Sequence, residues 1–262
     1  MSGRRDFQKE QLKALVFDLM GTCCDWHSSL LPSLQASPTL EQLPSSELSK
    51  FANDWRAGFF AEIHARFQAR DPTEDIDITH RRLLDRLLSA RGVDLKIWDE
   101  DVRQKLVDQW HFQIGWPDAL PALSRLREKN FLVVLANGTT RLQLDIAKYS
   151  GLPFHALFSS QLLGLTKPDP AIYVKAMELM QLRPEECAIV AAHAYDLRAA
   201  KKLGMGTIYI QRATEDLDED MTAIREEVDL FIDGTGGNVS SGLGELADML
   251  GYGVSIHQSR AH

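Results

Sequence analysis

The sequence predicts an α/β fold in which a parallel sheet carries an inserted helical part. Five short apolar segments have the composition of buried strands, and helical patterns alternate with the later ones, which is typical of βαβ units. Residues 19–130, after the first segment, contain no other strand-like segment, although a crossover between parallel strands needs only about a dozen residues. We therefore assign residues 1–26 and 117–262 to an α/β core domain and residues 27–116 to an inserted helical domain.

The predicted strands are apolar segments rich in β-branched or aromatic residues. They are residues 12–18, 131–137, 187–191, 206–210 and 229–232. The first segment, LKALVFD, ends at Asp18, and Gly21 and Thr22 follow at once, as expected where a buried strand opens into a loop. Apolar residues at helical spacing predict core helices at residues 119–129, 141–150, 171–182 and 196–203.

The insertion is expected to be mainly helical. Apolar residues at helical spacing predict helices at residues 45–70 and 79–90, and a weaker pattern predicts one at residues 99–110. Residues 31–43 are predicted to be irregular or loosely helical, because prolines punctuate them.

Composition narrows the class of protein. The chain has 262 residues, 44% of them hydrophobic and 25% charged, as expected of a globular protein with a buried core. Its 29 basic and 37 acidic side chains give a net charge of −8, which argues against nucleic acid as a partner but not against a small anionic substrate. No segment has the length of a transmembrane helix or the pattern of a secretory signal, and three cysteines make no disulfide framework. We predict a cytoplasmic protein with no membrane partner, and leave a homodimer open.

Ligands of open parallel sheets bind beyond the carboxyl ends of the strands, and four motifs follow those ends here. In chain order they are residues 18–22 (DLMGT), 136–138 (ANG), 167–168 (KP, with Tyr173 six residues after the lysine) and 191–196 (AAHAYD). Together they resemble the motifs of the haloacid dehalogenase superfamily, and more closely those of its L-2-haloacid dehalogenase (type II) branch. The resemblance covers about residues 12–250. It implies the Rossmannoid core of that superfamily with a C1-type helical cap.

The resemblance implies covalent catalysis by carboxylates. Asp18 is expected to be the nucleophile that forms an ester with the carbon bearing the leaving group. Lys167 is expected to keep Asp18 ionised and oriented through charge-assisted hydrogen bonds. Asp196, with or without His193, is expected to act as the base, or to position the water that cleaves the ester.

Other residues are expected to bind the substrate. The Thr22 hydroxyl can bind oxygens of the substrate or the ester, and Asn137 is suited to hold the substrate carboxylate or the halide. Arg56 most resembles the cap arginine that the dehalogenases use on the departing halide. Met20 and Tyr173 are expected on the walls of the same pocket.

Two positions distinguish dehalogenation from phosphate ester hydrolysis. Phosphatases of the superfamily usually carry a second acid two residues after the nucleophile, where this chain has Met20, which cannot donate a proton. A halide leaves without an acid, whereas an alcohol mostly needs one. Phosphatases also hold Mg²⁺ with a carboxylate four residues before the final Asp, where this chain has Ala192. We therefore expect neither a metal ion nor another cofactor.

Four positions depart from the dehalogenase motifs, so the motifs do not determine the identity of the substrate. Ala136 and Ala191 stand where that branch has serines, His193 stands where it has Asn, and Met20 stands where it has Tyr. We predict a hydrolase that acts on a small organic acid, foremost an (S)-2-haloacid. The alternatives are metal-independent chemistry at another carbon or acyl centre, a Mg²⁺-dependent phosphatase, and a non-catalytic binding or scaffold protein.

Overall fold

The computed structural model describes residues 9–38, 40, 44–72, 74–94 and 96–251. Within them, the strands are β1 (Ala14–Phe17), β2 (Cys24–Asp25), β3 (Ile114–Gly115), β4 (Phe131–Ala136), β5 (Ala156–Ser159), β6 (Cys187–Ala191), β7 (Gly206–Gln211) and β8 (Leu230–Asp233). The helices are α1 (Trp26–Gln35), α2 (Ser45–Ala69), α3 (Ile76–Ala90), α4 (Glu100–Asp108), α5 (Ala119–Leu126), α6 (Thr140–Ser150), α7 (Ser160–Leu163), α8 (Pro170–Met180), α9 (Ala194–Lys201), α10 (Met221–Glu227) and α11 (Leu243–Met249). None of these helices is both long enough and apolar enough to span a bilayer.

Six of the strands form one parallel sheet, which confirms the predicted fold class. Its strand order is β5-β4-β1-β6-β7-β8, and every neighbouring pair runs parallel. Strand β1 lies between β4 and β6, with Phe17 opposite both Val134 and Val190. The loops after β1, β4 and β6 therefore leave the sheet side by side.

Both faces of the sheet are covered, which explains the nearly continuous apolar sequence of its first strand. All four residues of β1 are buried. Leu15 and Phe17 pack into the apolar cluster that also contains the aromatic residues of the insertion, whereas Ala14 and Val16 pack on the opposite face against α8 and α9. Burial on both sides is typical of central strands in parallel sheets.

The insertion consists of α1 to α4, and a short antiparallel ribbon marks where it departs and returns. Strand β2 pairs with β3, with Cys24 opposite Gly115 and Asp25 opposite Ile114. We propose that this ribbon is the junction between the core and the cap domain predicted over residues 27–116. The ring of Trp110 packs against those of Trp55, within the insertion, and of Trp26, the last residue of the preceding core segment.

Several parts of the fold differ from the sequence prediction, which did not include β2, β3, β5, α7, α10 or α11. Residues 31–35, predicted to be irregular or loosely helical, belong to α1, because Asp25 caps that helix by accepting a hydrogen bond from the backbone N–H of Ser28 at 2.9 Å. Residues 39 and 41–43 of the same segment lie outside the described residues. Strand β5 was not predicted, because it is a short edge strand of which only Ser159 is fully buried.

Candidate active site

A small cavity lies between the carboxyl edge of the sheet and helix α2. Its volume is about 40 Å³. Six of the nine predicted site residues line it, namely Asp18, Met20, Arg56, Asn137, Lys167 and His193. The other three, Thr22, Tyr173 and Asp196, are buried behind these residues.

Asp18 follows the last residue of β1 and faces the cavity as an ionised carboxylate. Its Oδ1 accepts a hydrogen bond from Lys167 Nζ at 2.8 Å, and its Oδ2 accepts one from the Thr22 hydroxyl at 2.8 Å. His193 Nδ1 lies 3.1 Å from the same Oδ2. Burial alone would raise the pKa of Asp18, but the charge of Lys167 and the contact with His193 outweigh it and hold that pKa well below its usual range.

Lys167 bridges the two aspartates of the predicted site. Its Nζ donates hydrogen bonds to Asp18 and to Asp196 Oδ2. Burial would lower the pKa of Lys167, but these two carboxylates raise it above its usual value, so the ammonium stays charged. The Asn137 side chain fixes the lysine backbone: its Oδ1 accepts from Lys167 N at 2.8 Å and its Nδ2 donates to Lys167 O at 3.1 Å.

Asp196 and Tyr173 form a second layer behind Lys167. The Tyr173 hydroxyl donates a hydrogen bond to Asp196 Oδ1, and both side chains are inaccessible to solvent. Burial raises the pKa of Asp196, and the charge of Lys167 opposes that rise. Tyr173 was expected on the wall of the substrate pocket. We revise that expectation, because its hydroxyl is directed at Asp196.

Thr22 also contacts protein groups. Its hydroxyl donates to Asp18 and accepts a hydrogen bond from the backbone N–H of Ala192 at 2.9 Å. This arrangement ties the loop after β1 to the loop after β6. We therefore revise the expected role of Thr22 from binding substrate to orienting Asp18.

His193 lies between two carboxylates. Nδ1 faces Asp18, and Nε2 lies 2.7 Å from Oε2 of Glu215. Burial would lower the pKa of His193, but Asp18, and after it Glu215, raise that pKa to about 10. The ring is therefore an imidazolium at neutral pH while Asp18 is ionised.

Glu215 is a site residue that the sequence reasoning missed. It follows β7 by four residues and is only 4% exposed, and its Oε1 accepts a hydrogen bond from Trp26 Nε1 at 2.5 Å. The rule that ligands bind beyond strand ends applies to β7 as well and would have pointed to this loop. The acidic composition of residues 215–220 instead resembles a solvated surface segment.

The cap side of the cavity presents one cation among apolar side chains. Arg56 of α2 is 6% exposed; its Nη1 lies 3.6 Å from Met20 Sδ, and its Nη2 lies 3.8 Å from Glu215 Oε2. The guanidinium carbon lies 4.5 Å from the centroid of the Phe60 ring, close enough for a cation–π contact. Arg56 Nε is buried without a hydrogen-bond partner among the described residues. The guanidinium therefore has an N–H group that no acceptor among the described residues uses.

The carboxylates of the site are engaged by protein cations. Lys167 Nζ contacts both Asp18 and Asp196, and Ala192 offers no carboxylate beside them. Within the described residues, no group of three or more His, Cys, Asp or Glu side chains is arranged to hold a metal ion. The chemistry that these groups can support is nucleophilic attack by a charged, oriented carboxylate.

Comparison with known proteins agrees with this geometry. A family model described as a haloacid dehalogenase-like hydrolase matches residues 12–204. The (S)-2-haloacid dehalogenase 4A of Burkholderia cepacia is 25% identical over 222 residues, which are 84% of this chain and 91% of that protein. The phosphoglycolate phosphatase of Chromobacterium violaceum is 25% identical over 232 residues, 86% of this chain and 99% of that protein. The crystal structure of the L-2-haloacid dehalogenase PA0810 is 32% identical, with a TM-score of 0.77 over 91% of this chain and 98% of that one. The chain therefore belongs to the haloacid dehalogenase-like hydrolase family.

Proposed function

We propose that this protein is a hydrolase that releases halide from a short (S)-2-haloacid through a covalent ester on Asp18. The observation that carries the proposal is the Asp18 carboxylate, which is ionised, held by Lys167 and Thr22, and faces a cavity with Arg56 on its opposite side. A fixed anionic nucleophile opposite a buried cation suits a reaction in which an anion departs.

In the first half-reaction, an oxygen of Asp18 attacks the carbon that bears the halogen. The bond from that carbon to the halogen breaks, and both electrons leave with the halide. Arg56 is placed to stabilise the departing anion, because it lines the cavity and its Nε has no hydrogen-bond partner among the described residues. Lys167 holds Asp18 in position but does not exchange a proton, since its pKa is raised above the usual lysine value.

The second half-reaction, hydrolysis of the ester, requires a base beside Asp18. Asp196 was expected to supply it, but Asp196 is inaccessible to solvent and is bound by Lys167 and Tyr173. His193 lines the cavity and contacts Asp18 directly. We therefore favour His193 as the group that accepts a proton from the water, with Asp196 holding Lys167.

The size of the cavity supports a short substrate. A buried water needs roughly 10–15 Å³ of such space, so about 40 Å³ holds only a few non-hydrogen atoms. A two- or three-carbon haloacid is compatible with this volume after a modest movement of the cap, whereas a long-chain acid is not.

Phosphatase activity is the main alternative, because several relatives, the phosphoglycolate phosphatase among them, are named phosphatases. Met20 and Ala192 oppose it, since neither can protonate a leaving alcohol or bind Mg²⁺. The test is to incubate the protein with chloroacetate and (S)-2-chloropropionate in excess EDTA while measuring halide and the mass of the intact protein. We expect halide release by the wild type and none above background by the isosteric Asp18→Asn variant. Mg²⁺-dependent phosphate release without halide release would refute the proposal.

A further inference from the structure

Glu215 is a buried carboxylate whose partners come from the core and from the insertion. Its Oε1 accepts hydrogen bonds from Trp26 Nε1 at 2.5 Å and from the Thr214 hydroxyl at 2.8 Å. Its Oε2 lies 2.7 Å from His193 Nε2 and 3.8 Å from Arg56 Nη2. Four contacts on a side chain that is 4% exposed fix the orientation of this carboxylate.

The loop after β1 is shaped to admit the Glu215 carboxylate. Gly21 has a φ of +82°, and a Cβ built there would lie 2.3 Å from Glu215 Cδ. Any other residue at position 21 would displace the carboxylate from His193. The same loop carries Asp18. It therefore holds the nucleophile and, at Gly21, leaves the space that the Glu215 carboxylate occupies.

We propose that Glu215 is a positioning residue that keeps the proton of His193 on Nε2, so that Nδ1 exchanges protons with the water that hydrolyses the Asp18 ester. This inference rests on the proposed function and extends it. A carboxylate that accepts the Nε2–H hydrogen bond fixes both the orientation of the ring and its tautomer. Nδ1, 3.1 Å from Asp18 Oδ2, is then the atom that faces the ester.

Esterification of Asp18 removes the negative charge that keeps His193 protonated, and this allows His193 to act as a base. Asp18 loses its negative charge when its oxygen bonds to the substrate carbon. Burial lowers the pKa of His193, and Asp18 opposes this more strongly than Glu215 does. Loss of the Asp18 charge therefore lowers the pKa of His193, and we infer that the imidazolium then releases its Nδ1 proton to solvent.

Neutral His193 then takes a proton from water through Nδ1 while the water oxygen bonds to Cγ of Asp18. The bond from Cγ to the substrate oxygen breaks next, and the departing hydroxy acid takes the proton of the newly added hydroxyl. Asp18 is again a carboxylate beside an imidazolium. One proton per turnover reaches the solvent, as the conversion of a haloacid and water into a hydroxy acid, halide and a proton requires.

Other polar groups near the His193–Glu215 pair belong to both sides of the cavity. They are Arg56, His64, Tyr195 and Asp216, of which Asp216 accepts a hydrogen bond from the backbone N–H of Ala194. All four are unchanged in a Glu215→Gln variant. Arg56 contacts Glu215 as well, so halide release, in which Arg56 acts, has to be measured separately from hydrolysis of the ester.

The kinetic test compares Glu215→Gln with Glu245→Gln, which removes the same charge from the exposed face of α11. We expect Glu215→Gln to release about one equivalent of halide in a burst at a nearly normal rate and to accumulate the Asp18 ester by mass spectrometry. Its kcat should fall by about 10²–10⁴, as when the carboxylate that orients a catalytic histidine is neutralised. Its kcat/KM should change little, because that ratio covers only steps through halide release. Glu245→Gln should match the wild type.

A double variant shows whether Glu215 acts through His193. We expect Glu215→Gln combined with His193→Gln to lose no more kcat than His193→Gln alone, because the two residues act as a unit. Additive losses would overturn the inference, and so would a fall of kcat/KM in parallel with kcat without any ester. If Glu215→Gln does not fold, Glu215→Asp keeps the charge and shortens the side chain, and should show the same ester in smaller amount.

A measurement on the free protein separates this inference from the proposed function. Asp18→Asn mimics the uncharged ester, so ¹⁵N spectra of its histidines should show neutral His193 with the proton on Nε2. Adding Glu215→Gln should lower the His193 pKa by at least about one unit and populate the other tautomer. Identical spectra would overturn the role of Glu215. Absence of halide release from the wild type would instead refute the proposed function.

Discussion

The two sides of the cavity differ in how they carry charge. On the core side, Asp18, Lys167 and His193 form a chain of ionised groups with contacts of 2.8–3.1 Å, each on a loop that follows a strand or leads into a helix. On the cap side, helix α2 presents Arg56 beside the apolar side chains of Phe60 and Ile63. The core therefore fixes the reacting charges in advance, whereas the cap supplies one cation and a surface that excludes water.

The two sides also differ in the contacts that hold their charged groups in place. The core contacts join loops at one edge of the sheet, and we expect them to persist when a single cap residue is changed. Arg56 instead lies over the rings of Phe60 of its own helix and of Trp26, and it approaches the core at Met20 and Glu215. We expect changes on the cap side to alter the rate of anion departure, and changes behind the core to alter stability as well.

The largest effect outside the nucleophile and the His193–Glu215 pair should come from Arg56→Lys. Lysine keeps one charge but loses the planar group and its several N–H donors. Loss of a donor that acts on developing charge typically costs about 10²–10³ in rate, so halide release should fall at least about tenfold, in kcat more than in KM.

The matched control is Arg91→Lys, because Arg91 also lies over an aromatic ring of the cap, that of Phe51, but does not line the cavity. It should retain wild-type activity, and both variants should unfold near the wild-type temperature. Undiminished halide release by Arg56→Lys would remove the arginine from the mechanism and would weaken the haloacid assignment with it.

A smaller effect is expected from Tyr173→Phe, which acts behind the core side. The change removes the hydroxyl that donates to buried Asp196 and leaves Lys167 as its partner. An unpaired buried acceptor costs about 1–3 kcal/mol, so the free energy of unfolding in urea should fall by that amount. Because Lys167 is then less firmly held, kcat should fall too, but less than in Arg56→Lys.

Tyr209→Phe is the control for this prediction. It also removes a hydroxyl contact with a carboxylate, that of Asp216 at 3.3 Å, but Tyr209 lies in β7 and does not contact Lys167. We expect it to lose stability and to keep kcat. Equal losses of kcat in the two variants would show that Tyr173 has no particular connection to the site.

The sequence was most informative where function depends on the ends of strands. Asp18, Asn137 and His193 each follow a buried apolar segment, and parallel pairing of β1 with β4 and β6 must bring such ends together. Lys167 could be placed beside them only through the resemblance to a family, because no strand directly precedes it. The spacing of residues within the fourth motif also could not predict that Asp196 is inaccessible to solvent whereas His193 lines the cavity.

Glu215 shows what the sequence pattern could not convey. It stands in a stretch with four more acidic residues, and its burial depends on Trp26, 189 positions earlier in the chain, and on Gly21. Long-range contacts of this kind leave no periodic signal. The orientation of Arg56 is a similar case, since apolar residues on several sides of α2 allow more than one buried face.

The smallest expected effect concerns His111, which connects the two sides away from the cavity. Its Nε2 lies 3.1 Å from Asp77 of α3, in the insertion, and its Nδ1 lies 2.9 Å from Asp145 of α6, in the core. The hydrogen bond with Asp77, opposed by burial and assisted by Asp145, raises the pKa of His111. The folded protein therefore binds this proton more tightly than the unfolded chain does. The resulting stability is fully present below the ordinary histidine pKa of about 6.5 and is lost as pH rises through the higher folded value.

His111→Gln should accordingly reduce the free energy of unfolding by on the order of 1 kcal/mol at pH 5.5, as expected for a partly exposed ion pair. The difference from the wild type should shrink as the pH rises through the raised pKa of folded His111. Asp77→Asn should remove more of this pH dependence than Asp145→Asn, because the Asp77 hydrogen bond contributes more to the raised pKa. Urea denaturation of the four proteins between pH 5.5 and 9 measures both effects. A difference between His111→Gln and the wild type that does not change with pH would show that His111 joins cap and core by packing alone.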